Sequence, residues 1–195
     1  MKTITKSINI YRFDELSEKS KEKAREEFYE NYSFILCDMY HDDIKDELDY
    51  LFPNSILDVQ FNLSCEQGSG LNIYGDLDLL DIYDKVSTKF DSKERLYISK
   101  VLADYPQSVE MKYNNRYCYC ISNSNDYTSG LISDLEWNEE EIDYHVLEDF
   151  QILIAEYFLK LCYVYYNSCY SNFYSDTTIE DFDIDFLENG EIYNG

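Results

Sequence analysis

The sequence predicts an α+β fold in which an antiparallel sheet, built on two β-hairpins, packs with about four to five helices. Apolar residues alternate with polar ones in two runs between Leu57 and Leu79, and the turn-forming cluster Glu66–Gly70 separates these runs. Such a pattern is typical of a β-hairpin with one buried face. The flanking segments carry apolar residues at helical spacing, and those helices need a sheet to pack on.

The composition predicts one acidic α+β domain that covers residues 1–195. The chain has 195 residues, which is enough to bury one sizeable core. Its 16 basic and 40 acidic residues give a formal net charge of −24 at pH 7. Because 45% of the residues are hydrophobic and 17% are aromatic, the composition is not that of a disordered acidic chain.

The cysteines and the opening segment bear on the cellular compartment. The 6 cysteines form no CxxC or CxxxxC pair, and the opening MKTITKSINIYRF lacks the apolar core of a secretion signal. No later run approaches the ~18 apolar residues that a membrane-spanning helix needs. These observations predict a cytoplasmic protein with reduced thiols, and not a membrane protein.

The first elements predicted from the sequence are a strand and two helices. Ser7–Phe13 alternates over a short stretch and is predicted as a strand. Asp14 or Ser17 can then cap a helix that runs to about Tyr32. A second helix is predicted over Phe34–Leu51, where apolar residues recur at helical spacing until Pro53-Asn54.

The central hairpin and a further helix follow. Gly75 lies inside the second alternating run, which indicates a bulge or a close approach of another backbone segment. The stretch Leu80–Phe90 is compatible with a strand extension or a short helix. Asp91-Ser92 is predicted to cap the next helix, and Pro106 to close it.

The second half of the chain is predicted to contain another hairpin, a long helix and a short C-terminal helix. Two alternating runs, Val109–Tyr113 and Tyr117–Ile121, form the second hairpin about Asn114-Asn115. Asn138 caps the longest helix, which runs to about Tyr166. Its predicted apolar face comprises Ile142, Val146, Phe150, Leu153, Tyr157 and Leu161. After a short helix, the alternation of Phe182, Ile184 and Phe186 suggests an added edge strand.

Three segments of this chain resemble one family of small acidic proteins from phages and prophages. The segments are IYRFDELSEKSKEKAREEF near the start, FNLSCEQGSGLNIYG in the central hairpin and YSDTTIEDFDIDFLENGEIY near the end. Members of that family are mostly uncharacterised, and some are labelled antitoxin-like. The resemblance therefore implies a phage accessory protein and indicates no reaction.

The charge is unevenly distributed along the chain. Residues 1–25 carry seven basic and four acidic side chains, whereas residues 117–195 carry Lys160 as their only basic residue against 17 acidic ones. The candidate partner-binding residues are these carboxylates and one aromatic residue: Asp134, Glu136, Trp137, Glu139, Glu140, Glu141, Asp143, Glu148, Asp149, Glu180, Asp181, Asp183 and Asp185.

This acidic block has two interpretations. Duplex DNA presents one charge per ~1.7 Å of its axis, and a protein face covered with carboxylates can imitate that field. Such a face would occupy the basic groove of a nucleic-acid-binding protein, with Trp137 and Tyr144 as aromatic anchors. The alternative is a solvated helix face. In either case the acidity argues against direct binding of nucleic acid by this chain.

Asp181, Asp183 and Asp185 alternate, and on a strand their carboxylates would share one face. A solvated edge strand is favoured over a Ca²⁺ site. As an EF-hand loop the segment fails, because Phe186 stands where the invariant glycine belongs and Ile192 where the bidentate Glu belongs.

Other motifs give little support for catalysis. Gln67–Gly70 is interpreted as a hairpin turn, since it lacks the following helix and the Lys-Ser/Thr pair of a phosphate-binding loop. His41 and His145 lie among carboxylates, but acidic residues this dense supply ligand-like spacings by chance. No GxSxG motif is present. The sequence thus predicts neither an enzyme nor a bound cofactor or metal.

The leading hypothesis is a phage-type counter-defence protein that blocks a basic host defence protein, such as a CRISPR effector or a restriction nuclease. One alternative is an antitoxin-like protein that neutralises a basic toxin through the same surface. Another is a small metal-dependent enzyme, which would need His41 or His145 to meet a carboxylate cluster in a pocket.

Overall fold

The structure is a computed structural model that describes residues 7–63, 70–104, 108–111 and 144–194. Within these ranges the chain is α+β, as predicted, with a three-stranded antiparallel sheet. The helices are α1 (Glu18–Leu51), α2 (Leu79–Val86), α3 (Ser92–Asp104), α4 (Tyr144–Phe173) and α5 (Asp176–Asp181), and the strands are β1 (Ile56–Asn62), β2 (Gly70–Asp78) and β3 (Ser108–Met111). None of the helices described has a stretch long and apolar enough to cross a lipid bilayer.

The chain divides into two compact units. The terminal unit comprises Met1–Met39 and Cys169–Gly195, and the central unit comprises Tyr40–Ser168. Both α1 and α4 contribute residues to each unit. The single domain over residues 1–195 stays a prediction.

The sheet belongs to the central unit, and β2 is its middle strand. The register pairs Val59 with Ile73 across β1 and β2, and Leu77 with Val109 across β2 and β3. All four side chains are buried, which confirms the predicted hairpin and its apolar face. The turn preceding Gly70 and the second hairpin beyond Met111 lie outside the described residues.

Gly75 allows β1 and β2 to approach each other closely. Its φ is +120°, and a Cβ atom at this position would lie 2.2 Å from the backbone oxygen of Ile56. Only glycine tolerates both the dihedral angle and the contact. The close backbone approach predicted at Gly75 is therefore confirmed.

The predicted boundary between two helices near Ser33 is wrong, because α1 is continuous from Glu18 to Leu51. No Gly or Pro interrupts this stretch, and the Asn31 side-chain amide donates to the Glu27 carbonyl oxygen at 2.7 Å. Buried or half-buried side chains recur every fourth residue, and this spacing also continues through the predicted break: Ala24, Phe28, Tyr32, Leu36, Tyr40, Ile44 and Leu48.

The predicted first strand is also wrong. Within Ser7–Phe13 only Tyr11 forms a β-bridge, to Phe186, and Ile8 and Ile10 are exposed. Without a buried face the alternating residues gain little from strand pairing. The capping prediction is confirmed at Ser17, whose Oγ accepts a hydrogen bond from the Ser20 backbone N–H at 3.2 Å.

The stretch left open between strand and helix folds as α2, followed by a 3-10 turn at Ser87–Lys89. Asp78 caps α2 by accepting from the Leu80 N–H at 2.8 Å. The buried Asp81 carboxylate accepts three hydrogen bonds of 2.9 Å, two from Asn54 and one from the Ser55 hydroxyl. This network satisfies the carboxylate and ties the turn after α1 to α2.

Reciprocal hydrogen bonds begin α3. Asp91 Oδ1 accepts from the N–H groups of Lys93 and Glu94, and Glu94 Oε2 accepts from the Asp91 N–H. These backbone donors lower the pKa of the Asp91 carboxyl. The predicted cap is therefore confirmed as a capping box, whereas residues 105–107, with Pro106, lie outside the described ranges.

Helix α4 is longer at its C-terminal end than predicted, and its buried face is shifted. It ends at Phe173, and its predicted start at Asn138 lies outside the described residues. Phe150 is buried as predicted, and Val146, Leu153, Tyr157 and Leu161 are only half-buried, whereas the unpredicted Leu147, Ile154, Phe158 and Cys162 are buried. Ile142, the first residue of the predicted face, lies outside the described residues. Apolar residues of α4 itself occupy most of its circumference, so the periodicity of the sequence cannot identify which face is buried.

Aromatic contacts form much of each core. In the terminal unit, Phe28 stacks on Tyr32 at 5.2 Å between ring centroids and meets the Phe182 ring edge-on at the same distance. In the central unit, Phe52 stacks on Phe158 at 5.3 Å. Ring pairs at these separations add stabilisation beyond the buried area.

Candidate partner-binding surface

Seven of the thirteen candidate residues singled out from the sequence, six carboxylates and Trp137, lie outside the described part of the chain. These are Asp134, Glu136, Trp137, Glu139, Glu140, Glu141 and Asp143. The next two, Glu148 and Asp149, are exposed near the start of α4 in the central unit. Glu148 Oε2 lies 3.6 Å from Nδ1 of the exposed His145.

The strand predicted for the C-terminal aspartates is wrong. Asp181 is the last residue of α5, and Asp183 lies in a turn with φ of +55°. The Ser175 hydroxyl caps α5 by accepting from the Thr177 N–H, and α5 confirms the short C-terminal helix predicted before this stretch. Asp181–Asp185, all described, form no β-bridge, and the following Phe186 pairs with Tyr11 and Ile192. The three carboxylates therefore do not form the predicted row on a strand.

Arg12 partly neutralises this C-terminal group. Its Nη1 lies 2.8 Å from Asp183 Oδ1 and 3.4 Å from Asp185 Oδ1, and it also donates to the Asp183 backbone oxygen. Arg12 and Asp183 border a small groove in the terminal unit. Glu180 and Asp181 are exposed. Asp183 and Asp185 therefore carry less net charge for a partner than the sequence suggested.

Other basic residues of the N-terminal segment also pair with acidic residues near the C-terminus. Arg25 binds both carboxylate oxygens of Asp176, at 2.7 and 2.8 Å. This contact raises the pKa of Arg25 and lowers the pKa of Asp176. Lys23 binds Glu191 at 2.5 Å and lowers the pKa of that carboxyl. The uneven charge of the sequence is thus partly balanced within the terminal unit.

In the central unit, α1 carries a group of carboxylates that the sequence interpretation did not select. We call it the acidic segment of α1, and it consists of Asp42, Asp43, Asp46, Glu47 and Asp49, all exposed. Lys45 pairs with Asp49 and is the only lysine or arginine between Asp42 and Leu51. Among the described residues, no lysine or arginine pairs with the other four carboxylates.

The field of the acidic segment reaches neighbouring side chains. Burial raises the pKa of the Tyr157 and Tyr165 phenols, and the negative charge of Glu47 raises each further. Tyr50 follows Asp46 by one helical turn and is 84% exposed. A solvent-facing aromatic ring therefore lies beside the carboxylates of the acidic segment. A cluster of like charges within a single helix could have identified it from the sequence.

His41 links α1 to the sheet in the central unit. Its Nε2 lies 3.0 Å from Asp58 Oδ1 on β1, and its Nδ1 lies 3.4 Å from Asp42 Oδ1. The Tyr74 hydroxyl on β2 donates to Asp58 Oδ2 at 3.1 Å. Both ring nitrogens face carboxylates, and this geometry suits a structural contact better than a general base.

Metal and thiol chemistry have little geometric support in the regions described. No group of three His, Cys, Asp or Glu side chains in these regions is arranged to hold a metal ion. Burial raises the pKa of the Cys37 thiol, which favours the less nucleophilic protonated form at neutral pH. Cys162 and Cys169 are buried.

No protein-family model, curated protein sequence or solved structure matches this chain. The residues and geometry above therefore carry the functional argument.

Proposed function

We propose that this chain is an acidic inhibitor that occupies the nucleic-acid-binding surface of a basic protein in the bacterial cytoplasm. The single observation that carries the proposal is the acidic segment of α1, whose carboxylates are exposed and have Lys45 as their only described lysine or arginine neighbour. A basic groove would pair with these carboxylates at little cost, because they already face water and have few competing partners.

The charge density of this segment supports mimicry of a nucleic acid. Asp42 and Asp49 are seven residues apart, which corresponds to roughly 10 Å along a helix axis. When the positive charge of Lys45 is subtracted from the five carboxylate charges, the segment presents about one net negative charge per 2.6 Å of helix axis. Duplex DNA presents one charge per ~1.7 Å of its axis. The two values are close enough for one basic groove to accommodate either.

The carboxylates selected from the sequence remain part of the proposed contact. Glu148 and Asp149 extend the exposed negative charge of the central unit onto α4. The run from Asp134 to Asp143 directly precedes them in the chain. Asp183 and Asp185 are weaker candidates, since Arg12 already pairs with both.

The proposed target is a host defence protein that binds nucleic acid, such as a CRISPR effector or a restriction nuclease. This choice rests on the resemblance of three segments to small phage proteins. A basic toxin is the alternative target, because an antitoxin could use the same carboxylates. The two differ in one property: a nucleic acid should compete for the defence protein but not for a toxin that binds none.

Affinity capture tests the proposal, with the full chain as bait in a bacterial lysate at low and at high salt. We expect a nucleic-acid-binding protein that is retained at low salt and displaced by DNA or RNA. With the captured protein purified, the variant D42N/D43N/D46N/E47Q should bind it at least about tenfold more weakly, since four charge contacts are removed.

A matched control separates this surface from net charge. The variant E22Q/E26Q/D84N/E188Q removes the same number of exposed charges elsewhere and should retain affinity. Equal losses in both variants would show a non-specific charge effect and would contradict the assigned surface. Reversal of Glu139, Glu140, Glu141 and Asp143 to lysine tests the sequence-predicted block in the same assay. A captured partner that is indifferent to salt and nucleic acid would favour the antitoxin alternative.

A further inference from the structure

Helix α4 turns one continuous face away from the core of the central unit. This face lies on the side of the helix opposite the buried Phe158. At 3.6 residues per turn, six side chains on that side fall within an arc of about 120° around the helix axis. We call these six residues the outer face of α4: Ile152, Leu153, Glu156, Lys160, Tyr163 and Val164.

Apolar side chains stand at both ends of the outer face. Ile152 and Leu153 form one end, where Ile152 is 50% exposed and Leu153 is half-buried. Tyr163 and Val164 form the other end, and they are 55% and 50% exposed. From Leu153 to Tyr163 the outer face advances by three, four and three residues, which is the spacing along a coiled-coil seam. The outer face therefore has the residue spacing of a surface that packs against another helix.

The centre of the outer face carries one acid and one base. Glu156 and Lys160 are exposed and lie one helical turn apart. Neither forms an ion pair with any residue that the structure describes. Lys160 is also the only lysine or arginine among residues 117–195. A partner that covers this face must therefore offer a cation to Glu156 and a carboxylate to Lys160.

We propose that the outer face of α4 docks against the outer face of a second copy of the chain, with the two helices antiparallel. Along the helix the face reads apolar, acidic, basic, apolar, and this order is complementary to its own reverse. Glu156 and Lys160 lie two residues before and two residues after Phe158. A two-fold axis beside Phe158 therefore places Glu156 of each copy opposite Lys160 of the other and forms two ion pairs.

The same axis brings the apolar ends together. Ile152 and Val164 are each six residues from Phe158, on opposite sides, and Leu153 and Tyr163 are each five residues from it. The apolar end formed by Ile152 and Leu153 of one copy therefore meets the end formed by Tyr163 and Val164 of the other. The two central ion pairs lie between two such clusters, each of which removes apolar surface from water.

The charges of the outer face favour a second copy over other occupants. In a parallel pair of α4 helices the two Glu156 side chains would face each other, as would the two Lys160 side chains, so only the antiparallel pair is attractive. A nucleic acid would be repelled by Glu156, and a uniformly basic helix would be repelled by Lys160. The antiparallel second copy satisfies both charges without any further partner.

The dimer should be weak and should strengthen with salt. A single helix pair is at the small end of specific interfaces, and two chains with a formal charge of −24 repel each other. We expect a dissociation constant on the order of 10–100 µM. Added salt should lower it, because salt screens the repulsion between the two copies.

This proposal goes beyond the inhibitor function and can fail independently of it. The outer face shares no residue with the acidic segment of α1, and salt acts in opposite directions on the two interactions. The variant D42N/D43N/D46N/E47Q should still form the dimer while its binding to the captured basic protein weakens.

Charge reversal on the outer face tests the pairing, with sedimentation equilibrium of the full chain over concentrations that span the expected dissociation constant. E156K and K160E each convert both central ion pairs into like charges, so each should weaken the dimer at least about tenfold. The double variant E156K/K160E restores opposite charges at the original net charge and should dimerise as the unmodified chain does. A mixture of the two single variants should form a heterodimer, because each supplies the charges that the other requires.

Controls separate the outer face from net charge and from general hydrophobicity. E110K changes the net charge as much as E156K does, but it lies at an exposed position on β3 and should not weaken the dimer. I152S/V164S should weaken the dimer at least about tenfold, since both apolar clusters lose side chains. L96S, which removes an exposed apolar side chain on α3, should not. Circular dichroism verifies that each variant keeps its helix content.

A chain that stays monomeric across these concentrations would overturn the proposal, and so would a dimer that E156K leaves unchanged. Failure of E156K/K160E to restore a dimer that both single variants lose would contradict the antiparallel pairing. If the chain is monomeric and I152S/V164S instead weakens binding of the captured basic protein, that protein covers the outer face in place of a second copy.

Discussion

Two glycines show how single residues permit close backbone approaches in this protein. Gly75 allows β1 to pass within contact distance of β2, and Gly190 does the same between the C-terminal turn and the first turn of α1. At Gly190, with φ of +89°, a Cβ atom would lie 2.2 Å from the Ser20 backbone oxygen. The Ser20 hydroxyl then donates to the Glu188 backbone oxygen at 2.7 Å, which holds the turn in place.

The substitution G75A tests this interpretation. We expect it to lower the free energy of unfolding by at least about 2 kcal/mol, because the new Cβ is strained at φ of +120° and also meets the Ile56 oxygen. Chemical denaturation monitored by circular dichroism measures the change. D76A, at the exposed neighbouring position on β2, is the control. A loss below about 0.5 kcal/mol in G75A would mean that β1 can move away freely.

The continuity of α1 is the main finding at the scale of elements. Two helices were predicted to meet near Ser33, whereas α1 contains no Gly or Pro and is continuous there. Every fourth residue of α1 from Ala24 to Leu48 is buried or half-buried, and these residues belong partly to the terminal unit and partly to the central unit. This burial stabilises a continuous helix along its whole length. Polar residues such as Asn31 are accommodated by hydrogen bonds to the preceding turn.

Proline substitutions at two positions test whether α1 is one continuous helix or two helices. S33P should destabilise the chain by roughly 3 kcal/mol or more, because proline in a helix interior removes a hydrogen bond and clashes with the preceding turn. E18P, at the first position of α1, should cost far less, since proline is tolerated there. Equal unfolding free energies for the two variants, measured by denaturant titration, would indicate a helix break near Ser33.

The large negative net charge is the main feature at the scale of the whole molecule. A net charge of −24 opposes compact folding, and the ion pairs of Arg12, Lys23 and Arg25 offset part of it. All three pairs join residues more than 150 positions apart. Their exposed or partly exposed geometry limits each pair to a modest contribution to stability.

Salt and pH should therefore change stability in predictable directions. Added salt should raise the melting temperature at pH 7, because it screens repulsion between like charges. Acidification towards pH 5 should act in the same direction as carboxylates begin to take up protons. Below the ordinary Asp pKa of about 3.8 the trend should reverse, because the lowered pKa of Asp176 stabilises the folded state only while the carboxyl is ionised. Differential scanning calorimetry across pH measures both effects.

The variant D176N is the control for the predicted loss of stability at low pH. The amide that replaces the carboxyl does not take up a proton, so the variant's loss of stability below pH 4 should be smaller than that of the unmodified chain. If D176N and the unmodified chain lose the same stability below pH 4, the Arg25–Asp176 pair does not cause that loss. A melting temperature at pH 7 that does not rise with salt would show that repulsion is not a major destabilising factor.

The candidate surface was only partly predictable, because its parts depend on different kinds of information. The exposure of Glu148 and Asp149 on a helix followed from helical spacing and the high density of charge. The pairing of Arg12 with Asp183 and Asp185 did not, because no local pattern reports a contact between the two ends of a chain. The strand geometry expected for these aspartates failed because α5 extends through Asp181 and Asp183 lies in a turn with φ of +55°.

The sequence by itself determined the features that depend on neighbouring residues. The α+β class, the central hairpin, the caps at Ser17 and Asp91 and the close approach at Gly75 all follow from periodicity, capping chemistry or the freedom of glycine. Only the tertiary structure decided which face of α4 is buried, that α1 is one helix, which acids are neutralised and that Ile152 and Val164 remain exposed. Those outcomes depend on packing between distant segments, whose free energy no local sequence pattern encodes.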